Sequence, residues 1–81
     1  MNKKQIEETL KKIFSSIFKL PVNKIKKTTN FKNTKKWDSL SHIKLIMILE
    51  SKFKISINPD AALTLLSFKD LLSFLNKKIK K

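Results

Sequence analysis

The sequence predicts an all-α domain, a bundle of three longer helices and one short one with a long loop between the first and second. Three observations carry this expectation. Apolar residues recur at spacings of three and four through the longest segments. Proline, asparagine and threonine gather between those segments. No segment reads as a strand of a sheet. At 81 residues the chain is one domain, 1–81, without an internal repeat or a linker.

In the first helix, Ile6, Leu10, Ile13, Phe14, Ile17 and Phe18 form one face over about Lys3 to Lys19. Lysines occupy the other side, and Pro21 ends the segment. Residues 20–37 lose helical periodicity and carry Pro21, Thr28, Thr29, Asn30, Asn33 and Thr34. A connection of this length needs anchors, and Val22, Ile25, Phe31 and Trp37 are the apolar candidates. For Trp37, a role as core or loop anchor takes precedence over ligand stacking.

The second helix is expected over about Ser39 to Lys52. Asp38 is a suitable N-cap, because its carboxylate can accept from the free N–H groups of the first turn. Ile55 and Ile57 then flank Ser56 in a short extended link. Asn58-Pro59-Asp60 signals the short third helix, about Pro59 to Leu63, with Pro59 at a first-turn position. Ser67 with Asp70 three residues on resembles a capping box and opens the fourth helix, about Ser67 to Lys77. Phe68, Leu71, Leu72 and Leu75 face inward there, and Lys77 to Lys81 read as a frayed tail.

Composition narrows the function. The chain has no cysteine, so disulfides, cysteine-based zinc sites and a thiol nucleophile are excluded. The single His and six acids show no metal-ligand spacing. No apolar run approaches a membrane span, and the N-terminus lacks a signal-peptide core, so a cytoplasmic protein is expected. The formal net charge is +13, and all 19 basic residues are Lys. Such a balance suits polyanions or acidic protein surfaces. For most of these lysines compositional drift is the favoured reading, since Lys, Ile and Asn are abundant while Arg and Gly are absent.

The second helix holds the candidate site. On a helical wheel His42, Leu45, Ile46, Leu49 and Phe53 share the core side, while Leu40, Ile43, Lys44, Met47, Ile48 and Ser51 share the other. The helix is thus apolar nearly all round. An apolar outer stripe marks a docking surface, unless a neighbouring helix or a second copy covers it. Ser39 opens this helix, where free N–H donors and the dipole suit a phosphate. By position alone, a serine there is more often just part of the cap, and a lone Asp-Ser pair is a weak signal.

Trp37-Asp38-Ser39-Leu40 through Met47, Leu49, Glu50 and Phe53 resembles the phosphopantetheine attachment region of the acyl carrier protein family. The helix order and the loop with Phe31 extend the resemblance over nearly the whole chain, and the Trp before the Asp is similar to a subset of carriers from specialised pathways. The resemblance implies an acyl-carrier-like four-helix bundle that catalyses nothing itself. Ser39 would carry 4′-phosphopantetheine, taken from coenzyme A by a separate phosphopantetheinyl transferase, and Asp38 would cap the helix and help present the serine. The arm would hold an acyl or aminoacyl group as a thioester. Leu40, Ile43, Lys44, Met47 and Ile48 would face the partners, namely the transferase, an acyl- or aminoacyl-loading ligase and acyl-transfer enzymes of fatty-acid, polyketide or specialised biosynthesis. Ile46, Leu49, Ile57, Ala62 and Leu66 are candidates to line an acyl-chain tunnel between the second and third helices, and read equally well as core.

The chain departs from the family in charge. Ser41 replaces the usual acid after Asp-Ser-Leu, Lys35-Lys36-Trp37 stand where a Gly is common, and Lys44, Lys52 and Lys54 accompany Glu50, the one acid of the helix. These departures point to partners with less basic, even acidic, docking surfaces. A chain from Met1 to a lysine tail suggests a free-standing carrier, and the resemblance implies a monomer, with weak dimerisation through the apolar stripe left open. Two rival readings remain in view. A small basic helical nucleic-acid binder accounts for the charge, but the chain lacks Arg and a basic recognition helix. Catalysis by Ser39 and His42 lacks an orienting acid and a cleft.

Overall fold

The computed structural model describes residues 2–79 and contains four α-helices. They are α1, Lys3–Phe18; α2, Ser39–Phe53; α3, Pro59–Ala62; and α4, Phe68–Ile79. A single 3-10 turn, Val22–Lys24, interrupts the long α1–α2 loop. The expected all-helical bundle is therefore the architecture, with α1 packed on both α2 and α4.

Each helix begins on a short polar side chain. Asn2 Oδ1 accepts from the Gln5 N–H at 2.9 Å while Gln5 Oε1 accepts from the Asn2 N–H at 3.0 Å, so α1 opens on a reciprocal capping box. Asn58 Oδ1 accepts from the Ala61 N–H at 2.7 Å with Pro59 at the first helical position of α3. Ser67 Oγ accepts from the Asp70 N–H at 3.0 Å and starts α4 at Phe68. The helix continues to Ile79 where the sequence suggested fraying from Lys77: Leu75 is fully buried and Ile79 packs against the core, which holds the last turn. Lys80 and Lys81, the rest of that expected tail, lie outside the described residues.

The core is built from one face of each long helix. Ile6, Leu10, Phe14 and Phe18 on α1 meet Leu45 and Leu49 on α2 and Phe68, Leu71 and Leu75 on α4. Phe14 lies at its centre, with ring centroids 5.1–5.2 Å from Phe18, Trp37 and Phe68, all edge to face. That geometry sets ring edges against ring faces and gains electrostatic as well as apolar contact.

The α1–α2 loop is ordered by buried anchors and by polar ties. Ile25 and Trp37 are each 2% exposed, and Phe31 packs partly buried against them. Val22, an expected fourth anchor, is instead 45% exposed, because the 3-10 turn it opens turns it outward. Thr29 and Thr34 are buried in its place. Thr29 Oγ1 accepts from the Lys26 N–H at 2.9 Å, satisfying a hydroxyl that would be costly to bury unpaired. The loop is also stitched to the α3–α4 link: the Phe31 N–H donates to Leu66 O at 2.9 Å and the Phe68 N–H to Thr29 O at 2.8 Å.

The chain must also end its helices without glycine. Lys19 after α1 and Lys54 after α2 adopt left-handed backbones, φ 56° and 55°. α1 thus stops at a left-handed residue two positions before Pro21, and the proline follows the stop rather than causing it. A Cβ in this region meets the neighbouring carbonyl and costs roughly 1–2 kcal/mol. Lys54→Gly and Lys19→Gly are therefore each expected to stabilise the protein by about 1 kcal/mol in urea unfolding. A loss of stability in both would show that the lysine side chains contribute more than their backbones cost.

Candidate functional site

The site is the N-terminal end of α2 and the outer face of that helix. Its placement begins with Trp37. The indole stacks on Phe18 at 5.0 Å, meets Phe14 at right angles, and lies 6.3 Å from Phe31. The Trp37 N–H closes a turn onto Thr34 O at 3.0 Å. With the residue before Asp38 fixed in the core, the start of α2 is fixed too.

Asp38 takes extended backbone angles and serves as N-cap, its Oδ1 accepting from the Ser41 N–H at 2.9 Å. The Ser41 backbone N–H, and after it the Ser41 side chain, hold the Asp38 carboxyl below the ordinary carboxylate range, against a slight opposing effect of desolvation. Ser39 is the first residue of α2 and is exposed, so its hydroxyl is open to a second protein. Lys35 and Lys36 just upstream are exposed as well. A phosphodiester fits here. The hydroxyl is accessible, it lies at the positive end of a fifteen-residue helix, and two cations stand nearby in the chain.

His42 does not partner Ser39. It is 8% exposed on the core side, where its Nδ1 accepts from Trp37 Nε1–H at 3.1 Å and its Nε2 lies 2.8 Å from Ala62 O. The neutral ring with its proton on Nε2 satisfies both contacts at once. His42 thus ties the loop, α2 and α3 together, and both its nitrogens are occupied.

The outer face of α2 carries Leu40 at 66% exposure, Met47 at 62%, Ile43 at 56% and Ile48 at 41%. Lys44 and Ser51 are exposed on the same side. Of the residues considered for an acyl tunnel, Leu49, Ile57 and Ile46 are buried and Ala62 is partly so. Leu66 is 38% exposed, while its neighbour Leu65 takes the core position. Sequence reasoning missed two features. Glu50 reaches past the end of its helix, Oε2 accepting from the Ile57 N–H at 2.9 Å. The α1–α2 loop also frames a concavity of about 790 Å³ whose lining includes Lys19, Lys24, Lys26, Lys35 and Lys36. The lysine spacing from 19 to 36 was its one visible signal. In the described residues, no helix is long and apolar enough to cross a membrane, and no cluster of metal-ligating side chains occurs.

Comparison with known proteins places this geometry. The family model for the phosphopantetheine attachment site matches residues 8–75. The chain is 34% identical over 76 residues to the acyl carrier protein of Buchnera aphidicola subsp. Schizaphis graminum, covering 94% of this chain and 96% of that protein. It is 30% identical over 79 residues to the acyl carrier protein of Guillardia theta and 32% identical over 79 residues to that of Thermosynechococcus vestitus, with 98% of both chains covered in each pair.

Two outcomes follow from the local geometry. A carboxyl whose folded pKa is depressed adds stability above its unfolded pKa and loses it as pH falls through the folded value. Asp38→Ala is therefore expected to melt below the wild type at pH 7, with the gap narrowing as pH drops below about 4. Thermal midpoints across that range check this, and a gap independent of pH would refute a charged cap. His42→Ala leaves the buried indole N–H unpaired and should cost about 1–3 kcal/mol in urea unfolding. Combined with Trp37→Phe, the cost should fall short of the sum of the two single changes. Strict additivity would mean that the bond contributes nothing.

Proposed function

The chain belongs to the acyl carrier protein family, and on that premise we propose that it carries an acyl or aminoacyl group on 4′-phosphopantetheine attached to Ser39. That group is the family's covalent cofactor, and the proteins of the family are carriers rather than enzymes. The observation that carries the reading is the exposed Ser39 hydroxyl at the first position of α2, directly after the capping Asp38.

The residues divide the work as follows. Ser39 Oγ attacks phosphorus in the pyrophosphate of coenzyme A, forming the new O–P bond as the P–O bond to the adenosine half breaks. The hydroxyl proton leaves to a base on the transferase. Asp38 holds the first turn in shape, so that Ser39 projects from a rigid helix end rather than from a mobile loop. The N-terminal dipole of α2, with Lys35 and Lys36 ahead of it, offsets the negative charge of the resulting phosphodiester. The bound cofactor supplies a terminal thiol that holds the cargo as a thioester. Leu40, Ile43, Lys44, Met47 and Ile48 form the docking face that brings the arm into partner active sites. Ile46, Leu49, Ile57 and Ala62, with Leu66 at the surface end, are the residues that would part around a long acyl chain.

In this reading the protein acts as a cytoplasmic monomer. Its partners are a phosphopantetheinyl transferase, a loading ligase and acyl-transfer enzymes of a fatty-acid, polyketide or specialised pathway. The test is intact mass after incubation with coenzyme A, magnesium and a broad-specificity phosphopantetheinyl transferase. The wild type is expected to gain the mass of one phosphopantetheine, and Ser39→Ala none. Equal gain by both proteins would move the attachment away from Ser39. No gain by a folded wild type with several transferases would count against the carrier role itself.

A further inference from the structure

Along α2 and its flanks the lysines outnumber the carboxylates. α2 contains one acid, Glu50, and Asp38 directly precedes the helix. Glu50 Oε2 is held by the Ile57 N–H and Asp38 Oδ1 by the Ser41 N–H, each at 2.9 Å. Both carboxylates are committed to this chain's own backbone. The lysines are not. Lys44 and Lys52 are exposed, and the one ion pair among the described residues is Glu7–Lys11, on α1.

Helical spacing puts these groups side by side. Lys44, Ile48 and Lys52 follow one another at steps of four, beside Leu40, Ile43 and Met47 at steps of three and four. The apolar strip therefore runs along a row with a free cation on each side of Ile48. Exposed Lys35 and Lys36 extend the positive field beyond the N-terminal end of the helix, and Lys54 beyond its C-terminal end.

We propose that this face docks a partner enzyme whose recess is apolar at its centre and edged by carboxylates. The proposal rests on the carrier reading and names the chemistry of the partner. Burial of Leu40, Ile43, Met47 and Ile48 supplies the attraction common to any apolar recess. The lysine row then selects among recesses, because a basic rim sets like charges against Lys44 and Lys52 whereas an acidic rim pairs with them. The same argument disfavours a second copy of this chain as the occupant, since its own lysines would lie opposite.

The test is a two-by-two charge cycle. One carrier is the wild type and the other is Lys44→Glu/Lys52→Glu, shown by circular dichroism to be folded. One transferase has a basic carrier-facing surface, and the other is the same enzyme with those basic residues replaced by glutamate. The readout is the second-order rate of phosphopantetheine attachment; an ordinary acidic carrier verifies the basic enzyme, and the same carrier with its helix acids replaced by lysine verifies the glutamate variant. At low salt the opposite-charge pairs are expected to react at least about tenfold faster than the like-charge pairs, with the difference shrinking severalfold by about 0.5 M salt. Attachment in all four pairs without that coupling overturns the docking proposal and leaves the carrier reading standing. No attachment in any pair, with the control carriers modified and with several other transferases failing as well, removes the carrier reading and this proposal with it. Sedimentation of the wild type as a dimer that dissociates on Met47→Glu assigns the face to a second copy and also overturns the proposal.

Discussion

Much of this fold depends on where the indole of Trp37 is held. Phe14, Phe18 and Phe31 enclose its ring, and His42 takes its only donor. An indole N–H buried without a partner would cancel much of what the ring's packing contributes, a large loss for so small a domain. With the partner present, the residue fixes three things together: the end of a long loop, the register at which α2 begins, and the rotation of α2 that turns His42 inward. Rotation of one face inward turns Leu40, Ile43 and Met47 outward. The exposure of the α2 strip is thus a consequence of the core side of the same helix, and not of any local preference for solvent.

The loop before Trp37 shows how a chain without glycine makes a compact connection. Asn30 and Asn33 bond each other's backbones reciprocally: Asn30 Oδ1 accepts from the Asn33 N–H at 3.0 Å and Asn33 Oδ1 from the Asn30 N–H at 2.8 Å. Their amide groups both donate to Thr28 O. Side-chain amides thereby replace the turn geometry that glycine would allow. The left-handed Lys19 and Lys54 mark where no such substitute exists and the backbone absorbs the strain. This chain therefore keeps its family's architecture while meeting its turns with asparagine and lysine.

What the sequence makes legible follows from this physics. Helices α1 and α4 are plain because their apolar residues repeat on one face, and the start of α2 is plain because a capping acid precedes an apolar run. The bond from His42 to Ala62 is invisible, since it joins residues twenty apart through a ring that reads only as core-facing. Val22 misleads because an apolar side chain in a loop is anchored only if the local turn directs it inward. The choice of Leu65 over Leu66 for the core depends on how α3 unwinds into its link, where no periodicity holds. The commitment of Glu50 to Ile57 is likewise set by the left-handed turn at Lys54, which folds the link back toward the helix end.

The charge of the chain connects its solubility with its selectivity. Four large apolar side chains exposed on one helix are an aggregation hazard for any small protein. A formal charge of +13 opposes that hazard, because two copies approaching through the strip also bring their lysines together. Repulsion does not distinguish a second copy from a basic enzyme. The lysines that keep the strip free of its own kind thereby narrow the set of partners able to cover it. If most of the lysines arose from compositional drift, the consequence at this face is the same, because the field acts on encounter whatever its origin. Neither Glu50 nor Asp38 pairs with Lys44 or Lys52, so both lysines stand free beside the strip.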